Sequence, residues 1–293
     1  MNKMRLLLTG YSGFIGSQFI EYNSDKFEII RISDLKNLSI DDLNGVDAIV
    51  HLAALTNLGR NNSLESYLDT NLELTISIAT VAKEAKVKQF VFLSTVKVYG
   101  QTSTKNIFSE NTSCNPSDYY SQSKYMAEKK LRELETPEYK VAIIRSPIVY
   151  GPGVKGKILS LIRFSSTVFP LPFKNLVSKF SVVFVGNLVS LINKIVLQNQ
   201  SGIFLAGDNN PTSLFEFMSL MRFYLNRKSR FFSLPSFVIL FIKNFNKEFY
   251  DSLFNPILTD NTVTNKILRY KSPYTTASGI SQTVNWYRSK LNA

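Results

Sequence analysis

The hydrophobic positions in the first half of the chain form short continuous runs that alternate with longer, helically spaced stretches. The run at 5–9 ends in glycines and is followed by apolar residues at helical spacing over 15–22, which predicts a strand, a tight turn and a helix. The stretches 27–32 and 140–145 predict two further strands, and 48–53 and 90–93 are continuous apolar runs. Such runs are typical of parallel strands buried on both faces. Two stretches with helical spacing are 72–86 and 119–135.

Strands that alternate with helices at this spacing predict βαβ units. We therefore expect an α/β fold with a Rossmann-type, doubly wound parallel sheet in residues 1–155. Residues 156–293 are more irregular and predict a smaller, mixed α/β substrate region. Parts of this region are expected to return to the main sheet, and the apolar run at 182–185 is one candidate strand.

Composition limits the chemistry. The chain has 293 residues and 44% hydrophobic content, which excludes disorder as its main state. Cys114 and His51 are its only cysteine and histidine, so an internal disulfide and a Cys-rich or multi-His metal site are excluded. We expect no metal. Since serine and cysteine hydrolases use a catalytic histidine, acid–base work falls to Tyr, Lys, Asp or Glu.

The chain is basic, with 34 Lys and Arg against 22 Asp and Glu and a formal charge of +12. This charge favours anionic partners, but the basic residues are scattered and are typical of a solvated surface. No nucleic-acid recognition module is visible, so nucleic acid is not an expected partner. No signal peptide fits the start, and the most apolar later stretch, 237–242, is far below the ~18 residues of a membrane span. The sequence predicts a soluble, cytoplasmic protein.

The segment 222–247 is both basic and aromatic. Its apolar part, FFSLPSFVILFIKNF at 231–245, favours a core helix with basic flanks. The alternative is a weak contact with an anionic membrane surface.

Three glycines stand between the first strand and the first helix, at Gly10, Gly13 and Gly16. In such a turn the backbone amides can approach a pyrophosphate at the positive end of the helix. The strand before and the helix after favour dinucleotide binding over a turn that only closes a βα unit.

Tyr120 and Lys124 lie one turn apart on the same face of a predicted helix. An ammonium beside a phenol favours phenolate, which would lower the pKa of Tyr120 towards the range of an acid–base catalyst. Thr95 follows a buried strand at the carboxyl edge of the sheet, where its hydroxyl can hold a reacting oxygen. This context selects Tyr120, because spacing alone cannot: the same pattern occurs at Tyr22/Lys26, Tyr125/Lys129 and Tyr224/Lys228.

Six motifs now carry a resemblance: TGYSGFIG at 9–16, HLAA at 51–54, Asn71, LSTVKVYG at 93–100, YSQSK at 120–124 and RSPIVYGPG at 145–153. As a set they resemble the extended short-chain dehydrogenases/reductases, in the NAD-dependent epimerase/dehydratase family that acts on nucleotide sugars. Later segments resemble a bacterial subgroup from surface-polysaccharide clusters: VKGKILSLIR at 154–163, FPLPF at 169–173, VVFVGNLVSLI at 182–192 and TVNWYR at 283–288. Members of that subgroup include UDP-glucose 4-epimerases and reductases of UDP-4-keto-6-deoxy-N-acetylhexosamines.

The resemblance implies a role for each matching residue. Tyr120 would be the acid–base group, Lys124 would hold the nicotinamide ribose and Thr95 would orient the reacting oxygen. The residues that would bind NAD or NADP, besides Tyr120 and Lys124, are Gly10, Gly13, Phe14, Ile15, Gly16, Leu52, Ala53, Ala54, Asn71 and Pro147. His51 lies within HLAA and is interpreted as a structural histidine.

The sequence departs from the family pattern at two places. Asp34 and Leu35 stand where the family has either an acidic ribose contact or an adenine contact, and the stretch 27–48 is too short for both. If the pair contacts adenine, Arg31 or Lys36 could accept a 2′-phosphate, so NAD and NADP both stay open. Phe180 replaces the arginine that relatives use to clamp the diphosphate, which leaves Lys179 as a point charge for substrate binding.

The resemblance favours an NAD(P)-dependent reductase that acts on carbon 4 of a UDP-4-keto-6-deoxy-hexosamine in surface-polysaccharide precursor synthesis. The first alternative is a UDP-hexose 4-epimerase with the same catalytic residues, and the second is a dinucleotide-binding scaffold without turnover. Relatives commonly dimerise through the helices at 72–86 and 119–135, which makes a homodimer one of the open alternatives.

Overall fold

The fold was analysed in a computed structural model that describes residues 3–56, 63–100, 107–246, 250, 253–254 and 256–291. In chain order its strands are β1 Met4–Thr9, β2 Phe27–Ile30, β3 Ala48–His51, β4 Gln89–Thr95, β5 Ile107–Phe108, β6 Lys140–Ser146, β7 Ile148–Tyr150, β8 Lys179–Phe180, β9 Val182–Phe184, β10 Gly202–Leu205, β11 Thr212–Ser213 and β12 Leu258–Thr259. Its α-helices are α1 Phe14–Asn23, α2 Leu64–Leu68, α3 Leu74–Glu84, α4 Tyr119–Leu134, α5 Gly156–Ser165, α6 Val185–Leu197, α7 Leu214–Tyr224, α8 Ser236–Phe245, α9 Thr262–Leu268 and α10 Thr276–Leu291. A π-helical turn, Asp69–Glu73, joins α2 to α3.

The central sheet has six strands in the order β10-β6-β4-β3-β1-β2, and all neighbouring strands are parallel. This confirms the predicted doubly wound α/β fold. The continuous apolar runs arise because both faces are covered: Leu6, Leu7 and Leu8 of β1 are fully buried although their side chains alternate between the faces. On one face the sheet packs against α1 and α6, and on the other against α3 and α4.

The sheet reverses its order at β1, which lies between β2 and β3. The segment 31–47 crosses from β2 to β3 with a single 3-10 turn, Asp41–Leu43, and adds no strand to the sheet. Ligands of open α/β sheets bind beyond the carboxyl ends of the strands at such a reversal. The carboxyl ends of four neighbouring strands meet there, because Thr9 lies opposite His51 and Thr95 lies opposite Ser146.

The chain after residue 155 contributes one strand to the central sheet, but not the one expected. The expectation that 182–185 joins this sheet is wrong, since β9 pairs with β7 in a separate two-stranded sheet, while β10 pairs with β6. Pro147 explains the separation, because it stands between β6 and β7 and has no amide hydrogen for a ladder bond. A domain boundary at 155 stays a prediction.

Asp208 ties the segments after β6 together. Its carboxylate accepts hydrogen bonds from Tyr150 Oη at 2.6 Å, Phe184 N at 2.9 Å, Asn187 Nδ2 at 2.7 Å and Thr276 Oγ1 at 3.2 Å. Burial nevertheless raises the pKa of Asp208 above its ordinary value. The four donors come from β7, β9, α6 and α10, so one carboxylate holds four elements together.

The prediction of a core helix within 231–245 is wrong. No residue of α8 is buried, and Phe237 and Phe245 are 73% and 77% exposed. Lys247, the last residue of the segment 222–247, lies outside the described residues. Across the described ranges, no helix has the length and apolar character needed to cross a bilayer.

Candidate active site

The glycine turn after β1 brings backbone close to backbone. Gly10 has a φ of +68°, and a Cβ there would lie 2.6 Å from the amide nitrogen of Ala53. A Cβ on Gly16 would overlap the carbonyl oxygen of Gly10. These two positions therefore leave no room for a side chain in the observed turn.

Gly13 differs, because a Cβ there would meet only the carbonyl oxygen of Gly10, at 3.2 Å, and otherwise faces open space. It is the N-cap of α1, and no side chain caps the first amides of that helix. Tyr11, Ser12 and Gly13 all retain some exposure. A positive helix end with free amides beside an open glycine fits a dinucleotide pyrophosphate, and Phe14 and Ile15 supply the first turn of α1 at this place.

His51 is fully buried at the end of β3 and bonds to two threonines. Its Nδ1 lies 2.9 Å from Thr9 Oγ1 and its Nε2 lies 3.0 Å from Thr75 Oγ1. Burial, with a smaller contribution from the charge of Lys124, lowers the pKa of His51 to about 3. The imidazole is therefore neutral at neutral pH and acts as a bridge between β1, β3 and α3.

Asn71 fixes the loop that leaves β3, next to Leu52, Ala53 and Ala54. Its Oδ1 accepts from the amide of Leu55 at 2.8 Å, and its Nδ2 donates to the Leu55 carbonyl oxygen and to Ser123 Oγ, both at 3.0 Å. The residue is fully buried in the π-helical turn, a local distortion that is frequent at functional sites. Asn71 thus joins this loop to α4.

Thr95 ends β4 and is 8% exposed. Its Oγ1 accepts a hydrogen bond from the amide of Lys97 at 3.3 Å and caps the 3-10 turn Val96–Tyr99. The hydroxyl hydrogen remains available to donate to a ligand, because this bond uses the oxygen as an acceptor.

Tyr120 lies in the first turn of α4, which a capping box between Asp118 and Ser121 stabilises. Its ring is partly exposed and meets the ring of Tyr67 edge to face, with the centroids 6.3 Å apart. Burial, and then the negative charge of Asp118, raises the pKa of the Tyr120 phenol above its ordinary value. The phenol is therefore protonated at neutral pH.

Lys124 is one turn further along α4 and only 1% exposed. Its Nζ donates to the carbonyl oxygen of Leu93 at 2.9 Å and stands over the ring of Phe92, 4.3 Å from the centroid. Burial lowers the pKa of Lys124 to about 7, although the negative charge of Glu128 opposes this shift. The expectation that Lys124 lowers the pKa of Tyr120 is thus not met here, because burial is the largest influence on both groups.

Sequence reasoning missed the carboxylate below the lysine. Glu128, one turn after Lys124, bonds to Arg145 of β6 with Arg145 Nη2 2.6 Å from Glu128 Oε2. Ser94 Oγ donates to the same carboxylate. A signal was present in the sequence, because Tyr120, Lys124 and Glu128 follow at four-residue intervals on one helix face, and that face is the buried one.

Three other predicted cofactor contacts lie at this edge of the sheet or near it. Pro147 is buried directly after β6. Asp34 is exposed beyond β2, where it accepts hydrogen bonds from the amide of Lys36 and from Asn37 Nδ2 at 3.2 and 2.7 Å. These bonds, with that to Asn37 first, lower the pKa of Asp34. Leu35 is partly buried and packs against the core cluster that contains residues of α3 and α4.

Lys179 lies on β8, away from the central sheet. Its Nζ is 2.5 Å from Glu216 Oε2, and both side chains are nearly half exposed. The Phe180 ring packs edge to face against Phe217, with the centroids 6.3 Å apart. Lys179 therefore carries a carboxylate partner of its own, which a diphosphate would have to displace or share.

Comparison with known proteins gives a consistent result. The chain matches the model of the NAD dependent epimerase/dehydratase family over residues 6–207. It is 30% identical to a UDP-glucose 4-epimerase of Vibrio cholerae, in an alignment that covers 98% of this chain and 96% of that protein. It is 31% identical to an N-acetyl-alpha-D-glucosaminyl-diphospho-ditrans,octacis-undecaprenol 4-epimerase of Escherichia coli O157:H7, over 66% of this chain and 63% of that protein.

The fold also matches solved structures. The structure of MoeE5 in complex with UDP-glucose and NAD superposes with a TM-score of 0.76 at 20% identity and covers 98% of this chain and 99% of its own. At that identity the likeness concerns the fold.

Proposed function

The chain belongs to the NAD dependent epimerase/dehydratase family, and from that premise we propose that it moves a hydride at carbon 4 of a UDP-linked hexose and inverts that centre. It is an enzyme of nucleotide sugars that uses a nicotinamide dinucleotide. The observation that carries the proposal is the placement of Thr95, Tyr120 and Lys124 at or next to the carboxyl end of β4, in a sheet whose strand β1 ends in the open glycine turn. The chain also matches a UDP-glucose 4-epimerase over 98% of its length. This reverses the order of preference that the sequence alone gave.

The dinucleotide is proposed to bind along the carboxyl edge of β1, β3, β4 and β6. Gly10, Gly13 and Gly16 would hold its pyrophosphate against the free amides of α1, and Lys124 its nicotinamide ribose. When bound, the dinucleotide supplies acceptance and return of a hydride.

Tyr120 is proposed as the proton carrier at the 4-oxygen of the sugar. Its phenol is protonated at rest, so it can donate to a 4-keto oxygen that is becoming an alkoxide. The epimerase cycle begins with oxidation, so the phenol would first lose its proton to solvent. The phenolate would then take the proton of the 4-hydroxyl as the hydride leaves and return it as the hydride comes back. Thr95 would donate its hydroxyl hydrogen to the same oxygen and hold it for the transfer.

A reductase is the second candidate, and one observation favours it. Since 31–47 adds no strand beyond β2, few elements can enclose the adenosine end of the cofactor. A loosely held cofactor suits a reductase that exchanges it in each turnover, here with a UDP-4-keto-6-deoxy-hexosamine as the substrate. The exposed Asp34 carboxylate favours NAD, through the ribose hydroxyls, while Arg31 and Lys36 beside it would favour NADP.

The proposal extends to the sugar-nucleotide site, the oligomeric state and the compartment of the reaction. Residues 156–293 would provide most of the sugar-nucleotide site, with Lys179 near the diphosphate. A homodimer through α3 and α4 and a cytoplasmic reaction would suit an enzyme of precursor synthesis. Sedimentation of the purified protein tests the dimer directly.

The decisive experiment is to denature the purified protein, identify any released dinucleotide by mass spectrometry, and follow UDP-glucose by NMR with the native protein. Bound NAD and conversion of UDP-glucose to UDP-galactose would support the epimerase. Consumption of added NADPH or NADH by a UDP-4-keto-6-deoxy-hexosamine, with no interconversion of UDP-hexoses, would replace it with the reductase. Absence of both retained and added dinucleotide would contradict both enzymes, and binding of a dinucleotide without either reaction would leave the scaffold.

A further inference from the structure

The positive charge of the protein is concentrated in its second half. Residues 156–293 contain 16 Lys and Arg and 5 Asp and Glu, a net charge of +11, whereas residues 1–155 contain 18 and 17, a net charge of +1. A net charge of this size favours the binding of residues 156–293 to anionic surfaces. Its densest part is 217–247, which has six basic residues and no acidic residue.

Helix α8 lies in this basic stretch and presents an apolar ridge to solvent. Phe237, Leu240, Phe241 and Phe245 are 73%, 58%, 59% and 77% exposed, and their spacing puts them on one face of the helix. The rings of Phe241 and Phe245 stack with centroids 4.2 Å apart. Large apolar side chains gathered on one exposed face mark a surface that is covered by something else.

The opposite face of α8 holds it against the protein. Val238, Ile239 and Ile242 on that face are half-buried, while Lys243 lies at the side of the ridge. The exposed ridge is therefore not the face by which α8 packs against the rest of the protein. It is the side that points away from the protein.

A neighbouring loop extends the apolar surface. The amide of Leu171 donates to the Arg230 carbonyl oxygen, and the amide of Phe232 donates to the Leu171 carbonyl oxygen, both at 2.9 Å. This pairing places the loop around Phe169, which is 70% exposed, beside the segment that leads into α8. Phe232 itself is 46% exposed.

Three basic residues precede α8 in the sequence. Arg227, Lys228 and Arg230 are exposed. Among the described residues, which leave out Glu248 and Asp251, no carboxylate forms an ion pair with any of them. Exposed cations of this kind favour an anionic partner.

We propose that α8 lies flat on an anionic lipid bilayer, with its apolar ridge below the headgroups and Arg227, Lys228 and Arg230 among the lipid phosphates. Aromatic and aliphatic side chains flanked by lysine and arginine are the composition that binds this interface. A helix of ten residues is too short to span the hydrocarbon core, so it lies in the interface. A second copy of the chain is a poor occupant, because a two-fold contact would bring the same basic patches together.

Vesicle flotation tests the proposal with the whole protein. The probe is a vesicle of equimolar phosphatidylglycerol and phosphatidylcholine, and the comparison is a vesicle of phosphatidylcholine alone. We expect binding to the anionic vesicle that weakens as salt is raised, since salt screens the attraction. The charge variant Arg227→Glu/Lys228→Glu/Arg230→Glu should bind about 100-fold more weakly. The apolar variant Phe237→Ser/Leu240→Ser/Phe241→Ser should bind at least about tenfold more weakly.

Matched controls separate this effect from net charge and general stickiness. Lys3→Glu/Lys26→Glu/Lys88→Glu changes the charge by the same amount on exposed residues of the first half, and Leu197→Ser removes a side chain that is 65% exposed elsewhere. Both should bind like the unchanged protein, and all variants should keep a cooperative thermal unfolding transition, which shows that they remain folded.

Absence of binding to the anionic vesicle would overturn the proposal, as would equal binding to both vesicles or equal loss in the control charge variant. A dimer that the apolar variant converts to a monomer, without vesicle binding, would assign the ridge to protein association instead. None of these results depends on which reaction the active site performs.

Discussion

Glu128 on α4 and Arg145 on β6 form an ion pair in which the two side chains are only 2% and 4% exposed. The pair lies one helical turn below Lys124 and also receives the hydroxyl of Ser94, the residue before Thr95. The guanidinium stands over the ring of Tyr99, 4.8 Å from the centroid. One buried carboxylate therefore joins the helix that carries the proposed proton donor to the two strands that end at the site.

Replacing Glu128 by Gln should destabilise the protein by about 3–5 kcal/mol, because it leaves the guanidinium of Arg145 buried without a counter-charge. The free energy of unfolding in urea measures this loss. Glu133→Gln is the matched control, since Glu133 pairs with Lys130 on the same helix but both side chains are about 60% exposed. Its effect should stay within ~0.5 kcal/mol. An equal loss of unfolding free energy in the two variants would show that the buried ion pair stabilises the protein no more than the exposed one does.

Alanine at the glycines of the turn should separate folding from cofactor binding. Gly16→Ala should destabilise the protein by about 1–3 kcal/mol, because the new Cβ overlaps the carbonyl oxygen of Gly10. Gly13→Ala makes one tight contact, 3.2 Å from the Gly10 carbonyl oxygen, and should lower the melting temperature less than Gly16→Ala, but its methyl group would stand where the dinucleotide is expected. Calorimetric titration with NAD and NADPH should show weaker binding in Gly13→Ala. Unchanged affinity there would place the pyrophosphate elsewhere.

The sheet was predictable because its signal is local and repeated. Strands buried on both faces give unbroken apolar runs, and β1, β3, β4 and β6 were each found within about three residues at either end. Partner choice was less accessible. The runs of β9 and β10 look alike, and which of them joins the central sheet depends on Pro147 and on the pairing of β7, which are relations between distant segments.

Exposure and charge pairing were the other properties that the pattern could not supply. The apolar residues of α8 predict a buried helix by composition, and only the packing shows that one face has no protein neighbour. Likewise, the spacing of Tyr120 and Lys124 indicates a shared helix face but not the depth of that face. Burial raises the pKa of one and lowers that of the other, which spacing cannot reveal.

Replacing Lys124 by Met should change the pH dependence of stability. The pKa of Lys124 is lowered to about 7 in the folded protein. Between this pH and the ordinary lysine pKa, Lys124 is therefore protonated in the unfolded chain and neutral in the folded protein. The unchanged protein therefore gains stability as pH rises through this window and carries the full penalty below it. Lys124→Met removes the penalty, so its advantage over the unchanged protein should be about 2–3 kcal/mol larger at about pH 6 than at about pH 9.

Urea unfolding at both pH values measures the difference. Lys129→Met is the control, because Lys129 lies on the same helix with an exposed side chain, and its effect should be nearly the same at both. A Lys124→Met effect independent of pH would mean that the ammonium is not desolvated in the fold.

Tyr120→Phe tests the chemistry of the site. Removal of the phenol hydroxyl should lower kcat by about 10²–10⁴-fold, because proton transfer at the sugar oxygen loses its donor. Dinucleotide affinity and the melting temperature should change little, since the ring and its contact with Tyr67 remain.

The control is Tyr125→Phe. Tyr125 has the same spacing to Lys129, whose Nζ lies 5.2 Å from the Tyr125 ring centroid, but Tyr125 packs against a different hydrophobic cluster. That variant should retain activity within about twofold, since its hydroxyl has no part in the proton transfer. Full turnover in Tyr120→Phe, by either the UDP-hexose or the 4-keto sugar assay, would remove Tyr120 from the mechanism and with it the reason for choosing this tyrosine among the four at that spacing.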